Sequence, residues 1–540
     1  MLADPIQEGL ARGWRVIDCA TLDRPQTLEA DVCIVGTGAG GGVTAEILTK
    51  AGLNVILVEE GPLKSSRDFH MKEGEAYPQL YQESAARKTR DKAINILQGQ
   101  CVGGSTTVNW TSCFRTPETT LQYWREKLGL AGFTSETLNP WFEAMEQRLS
   151  IAPWQLPPNE NNALLARGAQ KLGIPSALIR RNVKGCWNIG YCGMGCPTNA
   201  KQSMLVTTIP AALDRGATLL VNAHALRLRG LASTGTKTVT ELEVVPRSSA
   251  TGSAARAGVQ IRARHFVLAA GAIGSPALLL RSNAPDPHDL LGRRTFLHPT
   301  VIAAALMPDA VNAYAGAPQT VYSDHFLDTA PLDGPIGFKL EAPPLHPVIF
   351  ATTMSGFGAR HAAMMRDFSR THVLLALLRD GFHPESQGGR VLLRDDGSPS
   401  LDYVLNDFVF AGVRRAYLAM AEIQFAAGAR HVLPIHEDAQ PYTSWQEARK
   451  AIGDLNLKPL STRIVSAHVM GGCPMGAVAE QGVVDAQGRH HQLPNVSVFD
   501  GSLFPTSVGA NPQLSIYALI ASLTSRLATQ LTGRQAPAIN

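Results

Sequence analysis

The sequence predicts an α/β protein of two lobes, and three observations carry that prediction. Near the start, a short apolar run leads through a glycine-rich turn into a helix and then a second apolar run. Residues 301–460 instead carry short apolar runs separated by turn residues, the pattern of an antiparallel sheet. The C-terminal segment returns to a strand, a loop and a long apolar-faced helix.

The bulk numbers agree with this reading. A chain of 540 residues exceeds the length at which one core keeps growing, so more than one lobe is expected. Apolar content of 45% and charged content of 17% suit a folded protein with a substantial core. The net charge of +4 is spread without a Lys/Arg-rich run, which argues against a nucleic-acid partner. The opening "MLADPIQEGLARGWRVIDCATL" lacks the basic-then-apolar order of a secretory signal. No run of about 18 apolar residues reads as a membrane span. The expectation is a cytoplasmic protein, with peripheral attachment at the inner membrane left open.

The first elements form a βαβ unit. "DVCIVG" (Asp31–Gly36) is a buried strand, "TGAGGGVTAEILTKAG" opens a helix with small residues, and "LNVILVEEG" (Leu53–Gly61) is a second strand ending in acid. Gly36, Gly38, Ala39, Gly40 and Gly41 supply the G-x-G-x-x-G pattern directly after the first strand. Such glycines permit a tight turn, close approach of a pyrophosphate and packing of the helix on the sheet. Glu59 follows Gly38 by 21 residues, where a carboxylate holds the ribose hydroxyls; its neighbour Glu60 is expected to point elsewhere. The site therefore predicts a bound dinucleotide.

Further along, "ATLLVNAHALRLRGL" reads as strand, and "RHFVLAAGAIGSPALLLRS" as a strand running into a helix. Ser248–Gly258 reads as a solvated loop. "PVIFATTM", "THVLLALL" and "GRVLLRDDGSPSLDYVL" are assigned to the antiparallel sheet and its hairpins.

Four ordered motifs now resemble one family. "GQCVGGSTTVNW" (Gly99–Trp110) and "GAIGSPALLLRS" (Gly271–Ser282) are similar to the two signatures of the glucose–methanol–choline (GMC) oxidoreductases. "SAHVMGGCPMG" (Ser466–Gly476) and "VFDGSLFPTSVGANPQLSIYALI" (Val498–Ile520) resemble their C-terminal active-site block. The resemblance implies a Rossmann-like FAD-binding domain assembled from residues 1–300 and 461–540, and a substrate domain at 301–460. It implies that Gly103, Gly104, Ser105, Thr107, Val108 and Asn109 line the flavin, with Ala225 at the adenine and Gly271 near the diphosphate. Asp500 and Gly501 would face the ribityl–diphosphate part, and Asn511, Pro512 and Gln513 the ring system. Some members bond FAD covalently to a histidine where this chain has Val108, so non-covalent FAD is expected.

The resemblance further implies oxidation of an alcohol by hydride transfer to flavin N5. His468 occupies the place of the general base, and imidazole titrates in a range suited to that work. Asn511 occupies the second active-site place and can orient the substrate oxygen but cannot serve as a base. "SVGANPQ" resembles the cholesterol-oxidase and fatty-alcohol-oxidase branches, which favours a primary, long-chain aliphatic alcohol. A sterol or sugar alcohol, or a hydroxynitrile-lyase activity with non-redox FAD, are the alternatives. Whether the acceptor is oxygen, a quinone or a cytochrome is left open. His298 in "FLHP" is read as structural, and His490–His491 as an exposed turn.

"CWNIGYCGMGC" places Cys186, Cys192 and Cys196 within eleven residues. Its C-x5-C-x3-C spacing resembles iron–sulfur-containing FAD sugar dehydrogenases, which work with a small helper subunit. "CPTNAKQS" resembles bacterial long-chain alcohol dehydrogenases. Three readings stay open: cluster ligands at Cys186, Cys192 and Cys196, a Cys192–Cys196 disulfide, or unligated buried thiols.

Overall fold

The computed structural model describes residues 3–230, 238–247 and 257–539. The predicted βαβ unit is present: strand β1 (Gln26–Val35), helix α1 (Ala39–Lys50) and strand β2 (Val55–Val58). Val55–Val58 is buried on both faces, as an apolar strand covered by helices must be. Strand β3 (Thr218–Val221) lies parallel to β2, and strand β4 (Val259–Leu268) parallel to β1. The sheet runs Arg15–Asp18, β3, β2, β1, β4, Glu241–Pro246, Ala223–Arg229, with Val496–Val498 also paired to β4. The chain therefore returns to its first sheet some 230 residues after leaving it, which joins the C-terminal motif to the glycine turn. Ser248–Gly258, predicted as a loop, lies outside the described residues over 248–256.

Helix α2 (Gly271–Arg281) follows β4 and leads to the second sheet. That sheet is built on β5 (Thr300–Leu306), β6 (Phe338–Glu341) and β7 (Thr371–Leu378), all antiparallel. It also recruits Ile94–Ile96 and Ile464–Ser466 on one side and Ala177–Leu178 at the far edge. All eight residues of β7 are buried, because the helix Asp407–Ala426 covers one face and a cavity wall uses the other. The hairpin Gly389–Leu393 with Pro399–Tyr403 is as predicted.

Two expectations fail. "PVIFATTM" is a helix, α3 (Pro347–Thr353), not a strand. Proline suits its first turn, and the buried Glu73 carboxylate accepts from Val348 N at 2.6 Å and Ile349 N at 2.9 Å. A cap from 275 residues upstream overrides the strand preference of Val and Ile. His490, placed in an exposed turn, is 2% exposed, because residues 489–490 bridge to Val484 and Ser497. Among the described residues no helix is long and apolar enough to cross a membrane.

Candidate active site

A cavity of about 710 Å³ runs between the two sheets. One end is the glycine turn. Gly36 has φ +100°, and a Cβ there would lie 2.3 Å from Ala269 O. At Gly40 it would lie 1.7 Å from Phe499 O, so the turn, β4 and the C-terminal segment interlock only through glycine. Gly38 differs: a Cβ there meets only Gly104 Cα, at 3.9 Å, and the residue lines the cavity. No side chain caps helix α1 at Gly38, which leaves its first N–H groups for a ligand anion.

Most residues implied as cofactor contacts line this one cavity. Gly36, Gly38, Ala39, Gly40, Glu59, Gly104, Ser105, Val108, Asn109 and Ala225 do so, as do Gly271, Asp500, Gly501, Pro512 and Gln513. Gly41, Gly103 and Thr107 stand behind the wall. A Cβ at Gly41 would strike Gly36 O, Gly103 N donates to Thr37 Oγ1, and Thr107 Oγ1 to Val102 O. The volume, the glycine turn at one end and the uncapped helix N-terminus fit a dinucleotide such as FAD. Val108 presents an aliphatic side chain with no nucleophile for a covalent link.

The acids of the site are already engaged. Glu59 accepts from Gly61 N, Thr37 N and the Thr37 hydroxyl, and burial pushes its carboxyl up. Glu60, expected to point elsewhere, also lines the cavity and pairs with His224 Nδ1 at 2.8 Å. Asp500 accepts from Gly271 N at 2.8 Å and Ser502 N at 2.7 Å, which pins the start of α2 to the C-terminal motif.

His468 and Asn511 line the same cavity. The part of His468 that is exposed opens into the cavity, and burial of the ring, helped by the Lys339 charge, draws its pKa down to about 4. His298 Nδ1 lies 3.3 Å from His468 Nδ1, so one ring donates and the other accepts. His298, read from sequence as structural, is thus the partner of the candidate base. It is fully buried at φ +51°, and Asp380 fixes it by accepting from His298 N and Leu297 N.

Asn511 Nδ2 donates to Glu341 Oε2 at 3.2 Å, which leaves Asn511 Oδ1 buried without a partner. Glu341 also accepts from Gln319 Nε2 and stands 3.7 Å from Lys339 Nζ. Burial pushes Glu341 up and draws Lys339 down to about 7. Sequence reasoning missed Lys339, Glu341 and Gln319. The available signal was two opposite charges at i and i+2 in the otherwise apolar "FKLE" of β6, which puts both on one face.

Of the three readings of the cysteine stretch, the iron–sulfur cluster finds no support. Among the described residues no group of three or more His, Cys, Asp or Glu is placed to hold a metal ion, and Cys186, Cys192 and Cys196 are free thiols. Their partners are protein groups: Asn188 N donates to Cys186 Sγ, Arg181 to Cys192 Sγ, and Cys196 Sγ meets Thr198 Oγ1. Gly193 and Met194, between the second and third cysteines, line the cavity.

Comparison with known proteins places this arrangement. The GMC oxidoreductase family model matches residues 77–300 in its N-terminal part and 384–519 in its C-terminal part. A long-chain-alcohol oxidase of Arabidopsis thaliana is 30% identical over 520 residues, covering 92% of this chain and 68% of that protein. An uncharacterized GMC-type oxidoreductase of Mycobacterium tuberculosis (strain ATCC 25618 / H37Rv) is 30% identical over 518 residues, covering 95% and 78%. Among solved structures, a variant of the formate oxidase of Aspergillus oryzae RIB40 superposes with a TM-score of 0.69 at 16% identity, covering 94% of this chain and 100% of that one. Pyridoxine 4-oxidase from Mesorbium loti gives 0.68 at 20% identity, covering 92% and 98%. These two share the fold.

Proposed function

Since this chain belongs to the GMC oxidoreductase family, as an FAD-dependent enzyme acting on CH–OH donors, we propose that it oxidises primary, long-chain aliphatic alcohols to aldehydes, with His468 as the general base. One observation carries the reading. The cavity that holds His468 and Asn511 has the inner faces of β5 and β7 as its wall, and Ile302, Val373, Leu375 and Leu377 present aliphatic side chains to it. An alkyl chain buried against that wall gains roughly 0.8 kcal/mol per methylene. A sugar laid there would leave its hydroxyls without partners.

The chain's own groups account for the proton. With His468 Nδ1–H donating to His298 Nδ1, the lone pair of His468 Nε2 is free to take the alcohol proton. The opposite tautomer makes His468 Nε2 a donor and useless as a base, so this mechanism requires His298 Nδ1 to accept. Asn511 has a second amide N–H to donate to the alcohol oxygen, and Glu341, accepting the first, holds the amide in place. FAD bound in the cavity supplies the two-electron acceptor for the alcohol carbon. Val108 leaves FAD non-covalent, so acid precipitation releases it into the supernatant.

The test is turnover on a panel running from ethanol to hexadecanol, with a sterol, a sugar and a hydroxynitrile alongside. The reading expects kcat/KM to rise with chain length. A sterol or sugar outrunning every linear alcohol removes the substrate class, and hydroxynitrile cleavage without flavin reduction removes the reaction.

A further inference from the structure

Behind the cavity wall formed by residues 108–111 lie two buried cations. Lys201, 2% exposed, donates from Nζ to Thr107 O at 2.7 Å, Asn109 O at 2.8 Å and Cys192 O at 2.7 Å. Three acceptors at that range need three N–H bonds, which only the protonated ammonium has. Burial draws its pKa down to about 8, which still leaves it charged at neutral pH.

Arg181, 1% exposed, donates to Thr111 Oγ1 at 2.7 Å, Pro318 O at 2.6 Å, Trp110 O at 3.2 Å and Cys192 Sγ at 3.7 Å. Among the described residues neither cation forms an ion pair with a carboxylate. Two buried like charges without a carboxylate partner are costly; the ionisable groups beside them are the thiols of Cys192, Cys196 and Cys101, and buried charges arranged in this way are a mark of functional sites. The wall they back is itself strained. Thr111, a β-branched residue, sits at φ +67°, and Arg181 holds its hydroxyl.

We propose that Lys201 and Arg181 are positioning residues for the redox centre: they fix the 108–111 wall and supply a positive field that favours the reduced, negatively charged form of the bound flavin. This rests on FAD occupying the cavity, as proposed above. It also gives the cysteine stretch its place, since the Cys192 turn is the third side of the cationic pocket.

The test measures the midpoint potential of the bound flavin in the holoenzyme, with thermal unfolding as a check on the fold. Lys201→Met and Lys201→Gln remove the charge, and Gln keeps hydrogen-bond donors. Both are expected to shift the flavin equilibrium about tenfold toward the oxidised form, about 30 mV more negative for a two-electron couple. Lys201→Arg is expected to stay within about threefold of wild type. Arg181→Gln is the independent arm, expected to shift in the same direction. Any folded, FAD-loaded neutral variant of Lys201 or Arg181 with the wild-type potential overturns the inference. A wild-type protein that holds no FAD overturns the functional reading instead.

Discussion

His298 Nδ1 meets His468 Nδ1 at 3.3 Å, 170 residues apart in sequence, so one of these two buried rings must donate to the other. His298→Leu removes the acceptor that the proposed mechanism requires for His468 Nδ1–H. The expected outcome is a fall in kcat of about 10- to 100-fold, the size of losing an orienting hydrogen bond to a reacting group, with KM changed little. Steady-state kinetics on a long-chain alcohol check it; an unchanged kcat removes His298 from the mechanism.

The pH dependence follows from the buried position of His468. A base must be neutral to act, and the His468 pKa is drawn from the usual 6.5 down to about 4. The neutral form therefore persists as pH falls through 6.5 and is lost only as it approaches 4. A plot of kcat/KM against pH should stay flat down to about pH 5 and show its acid limb near 4. A limb centred at 6.5 would mean that the ring which titrates is exposed.

The glycine turn separates folding from cofactor binding. Gly40→Ala drives a Cβ to 1.7 Å from Phe499 O and is expected to lower the melting temperature sharply or prevent folding. Gly38→Ala meets nothing closer than 3.9 Å, so the protein should fold with a near-wild-type melting temperature. Its new methyl occupies the floor on which the diphosphate would rest, so FAD affinity should drop at least tenfold. Fluorescence titration of apoprotein with FAD reads this; equal affinity would place the diphosphate elsewhere.

Chain-length preference tests the aliphatic wall. Leu375 stands in β7 facing the cavity. Leu375→Trp fills part of that space, so the best substrate should shift to a shorter alcohol while ethanol turnover changes little. A preference that falls equally for all lengths would place the alkyl chain against another wall.

The glycine fingerprint and the βαβ unit were legible because they depend on local spacing; His468 and Asn511 came from the family resemblance of their motifs, and the fold brings both to the cavity. The partners that tune them were not. Glu341 reaches Asn511 across 170 residues, and Lys201 joins Thr107 and Asn109 of one segment to Cys192 of another. A single lysine in "CPTNAKQS" looks like a surface residue until the fold buries it. Helix α3 misled for a related reason: its apolar run suits a strand, and the Glu73 cap that makes it a helix is remote. The cysteine spacing left a cluster, a disulfide or unligated thiols open, and among the described residues the three are free thiols in no metal-holding group.

The central claim is that His468 removes the alcohol proton in a cavity that holds FAD. Anaerobic mixing of the purified flavoprotein with dodecanol, followed by flavin absorbance in a single turnover, tests it most directly. Wild type is predicted to bleach, and His468→Ala, which keeps its FAD, to bleach at least a hundredfold more slowly. Bleaching of His468→Ala at the wild-type rate, or no bleaching of FAD-loaded wild type by any alcohol, would contradict the account.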